Sequence, residues 1–204
     1  MTVFDRQWWE DRYRSASAEG HVNAPLAAAA ADLPPGRALE AGCGHGGDAL
    51  WLAERGWDVL AVDISTVALD RARAEAERRE LVGRVRFEQA DLTTWTPEDR
   101  YDLVTASYVH QATEDQAAFW SALAGLVTTG GTLLLVQHDH GDRTVDRSDL
   151  PGASTTADEL SGHLDPAHWD VVTATARPRP TGHHGHGHGG RDAALDAVVV
   201  ARRR

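Results

Sequence analysis

The chain opens with a charged segment in which Trp8, Trp9 and Tyr13 recur at helical spacing, which predicts a helix from about Phe4 to Ser15. An alanine run predicts a second short helix over 24–32, and "LPPG" (Leu33 to Gly36) ends it. From there the apolar pattern alternates between two periods. Compact apolar or alternating runs predict seven strands: 37–43 (RALEAGC), 58–64 (DVLAVDI), 84–91 (RVRFEQAD), 101–108 (YDLVTASY), 130–139 (GGTLLLVQHD), 169–178 (WDVVTATARP) and 193–203 (AALDAVVVARR). Helical spacing fills the gaps at 46–56, 65–81, 114–127 and 155–164, with Ser65 as the N-cap of the second of these. Strands that alternate with helices return to the same sheet edge through crossovers, so they lie parallel. The expected fold is an open, doubly wound α/β sheet. Only a Pro/Gly/His segment separates the last two strands, which predicts a C-terminal antiparallel hairpin.

Length and composition narrow this picture. The chain has 204 residues, 42% of them hydrophobic and 25% charged, which suits one domain with a sizeable core. It divides into an N-terminal helical lid over 1–32 and a core over 36–204. A net charge of −11 argues against a nucleic-acid partner. There is no run of about 18 apolar residues, so no membrane span is expected. The polar, aromatic N-terminus lacks the features of a secretory signal, and a cytoplasmic location is the expectation. Cys43 is the single cysteine, which leaves no intrachain disulfide. All twenty basic residues are arginine, so no lysine is available as a base or Schiff-base former. The closing Arg202–Arg204 run reads as a solvated terminus.

The candidate chemistry sits in "GCGHGG", Gly42 to Gly47, between the first strand and the helix after it. Ligands of open parallel sheets bind beyond the strands' carboxyl ends. Glycines there let a ligand approach the main chain, and the helix N-terminus turns free N–H groups toward it. Asp63 ends the second strand, where a carboxylate can accept from both hydroxyls of a ribose. The loop therefore suits a nucleoside. Gly42, Gly44 and Gly47 match the dinucleotide pattern G-x-G-x-x-G, which admits an NAD(P)-dependent oxidoreductase. Glu40, Gly42, Gly44 and Gly46 match acidic-x-G-x-G-x-G.

Five motifs in order, LEAGCGHGG, VLAVDIS, VRFEQAD, YDLVTASYVH and GGTLLLV, resemble the class I S-adenosylmethionine-dependent methyltransferases over nearly the whole chain. The N-terminal WWEDRYR is similar to the small-molecule branch that includes tellurite-resistance and thiopurine-type enzymes. The resemblance implies a Rossmann-like, mostly parallel seven-stranded sheet, S-adenosyl-L-methionine as cofactor and methyl transfer to a small molecule by in-line displacement. It places Glu40, Gly42, Gly44 and Gly46 along the methionine part, Asp63 at the ribose, Ile64 on an adenine face, Asp91 and Leu92 at the adenine edge, and Ser107 near the methionine end. Trp8 and Arg12, four apart on one helical face, are candidates for a lid that meets the cofactor's carboxylate.

A base that removes the acceptor's proton is sought beyond the fourth and fifth strands, at Tyr108, His110, His138 and His140. Strand direction brings the segment GHHGHGHGG over the same rim. Its His183, His184, His186 and His188 admit a mobile loop, a lid, or a site for a divalent transition metal. A non-catalytic metal-binding protein on this scaffold is therefore a further alternative.

Overall fold

The computed structural model describes residues 4–15, 20–110, 116–144, 150, 152–179 and 194–204. Two N-terminal helices, α1 (Arg6–Ser15) and α2 (Ala24–Ala30), precede the sheet. The alternation then runs β1 (Arg37–Ala41), α3 (Gly47–Glu54), β2 (Asp58–Asp63), α4 (Thr66–Arg78), β3 (Val85–Gln89), β4 (Tyr101–Ser107), α5 (Gln116–Gly125), β5 (Val127–Asp139), β6 (Ser154–Thr155), α6 (Ala157–Ser161), β7 (Trp169–Pro178) and β8 (Leu195–Arg203). Each of the seven expected strands is present. An eighth, β6, has two residues and pairs with β5, too short to leave a periodic signal in sequence.

The strand order is β3-β2-β1-β4-β5-β8-β7. β1 to β5 pair in parallel, and β8 lies antiparallel between β5 and β7. Apolar side chains alternate across the sheet and form two cores. Leu39, Val104, Leu133 and Val199 join α5 and α6 on one face. Ala38, Leu103, Leu134 and Val198 join α2, α3 and α4 on the other. Crossovers leave β1 toward β2 on one side and reach β4 on the other, so a crevice opens at the carboxyl ends of β1 and β4.

The C-terminal arginines stay largely exposed, as expected of a solvated terminus, but they are tied to the sheet. Arg202 and Arg203 belong to β8, where Arg203 donates to the main-chain oxygens of Gly125 and Val127. Arg204 pairs with Asp170 and donates to the Pro166 oxygen. Alternation along the strand turns Arg203 partly onto the sheet face, while Arg202 and Arg204 stay exposed.

Candidate active site

A cavity of about 680 Å³ occupies the crevice, within the usual span of small-molecule sites, about 300–1,000 Å³. Its floor is the loop after β1. Gly42, Gly44 and Gly46 all have positive φ, at 75°, 51° and 78°, a region that L side chains rarely occupy. The loop is tied to β2 by Asp63, whose Oδ2 accepts from Gly44 N at 2.8 Å and whose Oδ1 accepts from Ser65 N at 2.9 Å. Each oxygen keeps a second lone pair. Asp63, Ile64, Asp91 and Leu92 line the cavity at the ends of β2 and β3. Asp91 is held by Thr93, whose N and Oγ1 donate to its Oδ1 at 3.0 and 2.7 Å.

Gly47 has another task. A Cβ built on it would lie 2.4 Å from the main-chain oxygen of His21. The N-terminal segment thus packs backbone to backbone on the glycine loop. The third glycine of the dinucleotide pattern serves this chain's own packing.

Beneath the loop three carboxylates are buried: Glu40, Asp48 and Asp63. Asp48, in the first turn of α3, accepts from Asn23 N and Nδ2 at 2.7 and 2.8 Å and from Ser107 Oγ at 3.3 Å. Glu40 Oε2 has no hydrogen-bond partner. Burial, and then the neighbouring Asp48 carboxylate, push the Glu40 carboxyl well above the usual range. Burial also raises Asp48 and Asp63 against the hydrogen bonds they receive. Such a cluster favours a ligand that brings positive charge.

Helix α1 roofs the cavity with Trp9, Arg12 and Tyr13. Its single buried residue is Glu10. Glu10 Oε1 accepts from Thr66 N and Oγ1 at 2.9 and 2.8 Å, and Oε2 accepts from Val67 N and Ser65 Oγ at 3.3 and 3.2 Å. The N-terminus of α4 is thus capped by a carboxylate from another helix. Burial alone would raise the Glu10 carboxyl, but the hydrogen bonds from Thr66, Val67 and Ser65 outweigh it and hold the group below its ordinary value. A carboxylate lowered on docking contributes fully above its free pKa and loses that contribution as pH falls through the docked one. Helix α1 is therefore expected to loosen below about pH 4. Hydrogen exchange over residues 6–15 should rise there, and Glu10→Gln should show the same rise at neutral pH. Equal protection in both proteins at neutral pH would refute this account of the lid.

At the far end the cavity meets a ring cluster. His110 lies 5.2 Å from Phe4, 5.8 Å from Trp9 and 5.6 Å from His138, centroid to centroid. Tyr108 stacks on His138 at 4.6 Å and donates from Oη to Asp196 Oδ2 at 2.8 Å. Burial raises the Tyr108 phenol; the neighbouring Arg179 guanidinium opposes this, and the bond to Asp196 adds to it.

The structure therefore brings Arg12, Glu40, Gly42, Gly44, Asp63, Ile64, Asp91, Leu92, Ser107, Tyr108, His110 and His138 to one cavity. Three expected residues stand apart. Trp8 lies outside the lining and packs edge-on against Trp9, with the Arg12 guanidinium 5.4 Å from its ring. Gly46 caps α3 and faces Ala72 and Phe87. His140 is exposed beyond β5, with Nδ1 3.1 Å from Ser154 Oγ and Nε2 3.3 Å from Glu159. His183, His184, His186 and His188 lie outside the described residues. Among the described residues no group of three or more His, Cys, Asp or Glu can hold a metal ion. Sequence reasoning missed Asp48 and Glu10. The first reads as an ordinary first-turn acid, the second as an exposed helical charge.

Residues 38–131 match the family described as methyltransferase domain. A trans-aconitate 2-methyltransferase of Methylobacterium radiotolerans is 34% identical over 134 residues, covering 65% of this chain and 47% of that protein. The chain spans about half the length of the curated relatives it matches. Among solved structures, magnesium protoporphyrin IX methyltransferase (ChlM) from Synechocystis PCC 6803 with bound S-adenosylhomocysteine superposes with a TM-score of 0.71 at 21% identity, over 98% of each chain. TehB from Haemophilus influenzae gives 0.72 at 19%, over 98% of this chain and 67% of that one. By sequence the chain is similar to methyltransferases over residues 38–131, and across the sheet it shares the fold of these solved structures.

Proposed function

We propose that the protein transfers the methyl group of S-adenosylmethionine to a small-molecule acceptor by in-line displacement. One observation carries the reading. Glu40 lines the cavity with a buried carboxyl group whose Oε2 has no hydrogen-bond partner, beside the buried Asp48 and Asp63. The cationic amino-acid end of S-adenosylmethionine suits that cluster. The pyrophosphate of NAD would set two negative charges against it. In this reading Asp63 takes the ribose hydroxyls, Asp91 and Leu92 the adenine edge, and Ile64 an adenine face. Arg12, on the roof, meets the cofactor's carboxylate.

When bound, S-adenosylmethionine supplies an electrophilic methyl carbon. The chain's own part is to align the acceptor and exclude water. Phe4, Trp9, Tyr108, His110 and His138 form the acceptor end, and α1 closes the roof. Tyr108 donates to Asp196 and serves as a wall. Removal of a proton from a hydroxyl or amine acceptor falls to His110. The same reading treats the chain as one catalytic unit with residues 1–32 as its lid, working in the cytoplasm. Among the described residues no helix is long and apolar enough to cross a membrane.

Calorimetric titration tests the proposal. S-adenosylhomocysteine is expected to bind with micromolar or better affinity, about −8 kcal/mol, while NAD gives no heat of binding. NAD binding without S-adenosylhomocysteine binding would refute it.

A further inference from the structure

Several side chains at the root of the β7–β8 hairpin converge on His138, and the proposed function gives two of them, Arg179 and Asp142, no part. Arg179, the residue after β7, is fixed by its main chain, whose N–H donates to Ala194 O at 2.8 Å. Its Nη1 donates to Asp196 Oδ1 at 2.7 Å and its Nη2 to Asp142 Oδ2 at 3.1 Å. Both carboxylate side chains are buried, at 0% and 3% exposure. The same Nη1 lies 3.0 Å from His138 Nδ1. Below it, Tyr108 stacks on His138 and hydrogen-bonds Asp196, so the imidazole is held on its face and at one edge.

A guanidinium has only donors. The nitrogen that faces it must offer a lone pair, so the ring proton of His138 belongs on Nε2. Nε2 is turned away from Arg179, and His138 lines the cavity. The guanidinium is not easily displaced. It serves two buried carboxylates, and withdrawal would take a cation from each.

We propose that Arg179 is a positioning residue that fixes His138, a ring in the cavity lining, as the Nε2–H tautomer with a donor on the edge opposite the guanidinium. What that donor does for a methyl acceptor rests on the methyltransferase reading; the tautomer does not. In that reading His138 orients a lone-pair oxygen or sulfur on the acceptor and supports negative charge there. It takes no proton on Nδ1, because that edge already faces a cation.

The test is a long-range proton–nitrogen correlation spectrum of the imidazoles in the ¹⁵N-labelled full chain, with His138 assigned by the loss of its signals in His138→Gln. The wild type is expected to show a protonated Nε2 and a bare Nδ1. Arg179→Met combined with Asp142→Asn removes the donor and keeps the Tyr108–Asp196 hydrogen bond. Its spectrum is expected to show the Nδ1–H form populated. Arg179→Lys, which keeps a cationic donor, should restore the wild-type pattern. A wild-type proton on Nδ1, or on both nitrogens, overturns the proposal. So does an unchanged pattern in the folded double variant, and if that variant does not fold the wild-type spectrum decides alone. S-adenosylhomocysteine titrated into the same wild-type sample keeps the two readings apart. Failure to bind beside an intact Nε2–H pattern would sink the methyltransferase reading and leave the tautomer standing.

Discussion

Replacing Asp63 with alanine is expected to weaken S-adenosylhomocysteine binding by at least about 100-fold while the protein stays folded. The carboxylate serves both sides of the loop. Toward the protein it accepts from Gly44 N and Ser65 N, and in the proposed function its remaining lone pairs accept from two ribose hydroxyls. Hydrogen bonds to charged groups contribute about 1.5–3 kcal/mol each, and two of them amount to roughly two to four orders of magnitude in affinity. The variant also strips the acceptor from two loop amides, so the glycine turn loses part of its shape. Asp63→Asn separates these effects, since its carbonyl oxygen can still accept while the charge is gone, and it should fall between alanine and wild type. Calorimetry with S-adenosylhomocysteine, alongside thermal unfolding, gives the comparison. An alanine variant that binds within tenfold of wild type would remove Asp63 from the nucleoside site.

The second large effect is expected at Gly47. Valine there would press a Cβ to within 2.4 Å of the His21 carbonyl, and a main-chain atom cannot rotate aside as a side chain does. The segment from Gly20 to Asn23 must move, and with it the two bonds from Asn23 to Asp48. Overpacking costs about 1–3 kcal/mol, and leaving the buried Asp48 short of donors costs about another 1–3 kcal/mol. A melting temperature lower by roughly 5–15 °C is expected for a chain of this size. Cofactor affinity should fall as well, because α1 follows the displaced segment off the roof. Melting within about 2 °C of wild type would show that the backbone contact is not needed.

Much of this architecture is written in local pattern. Alternating strand and helix periods carry the sheet from β1 to β5, because each element shows one apolar face at its own period. Glu40 and Asp63 are legible because glycines and acids stand at fixed distances along the chain, and the strands that carry them pair in register, Glu40 beside Ala61 and Asp63 beside Gln89. What stayed hidden depends on contacts distant in sequence. Glu10 matters only because α4 begins where α1 lands, 56 residues later at Thr66. Arg179 and Asp142 meet across 37 residues, and neither stands in a motif. Trp8 and Trp9 cannot be ranked by pattern, since the direction in which a short polar helix rolls is fixed by its dock.

The position of β8 has a consequence for how the molecule is made. It follows β7 in the chain yet sits between β7 and β5, so β7 has no sheet partner until the residues after it exist. A nascent chain halted behind β7 would present β5 as a raw edge and β7 as an orphan ribbon, a state open to pairing with other chains. Completion of the sheet is thus a late, long-range insertion, the slow kind of step in folding.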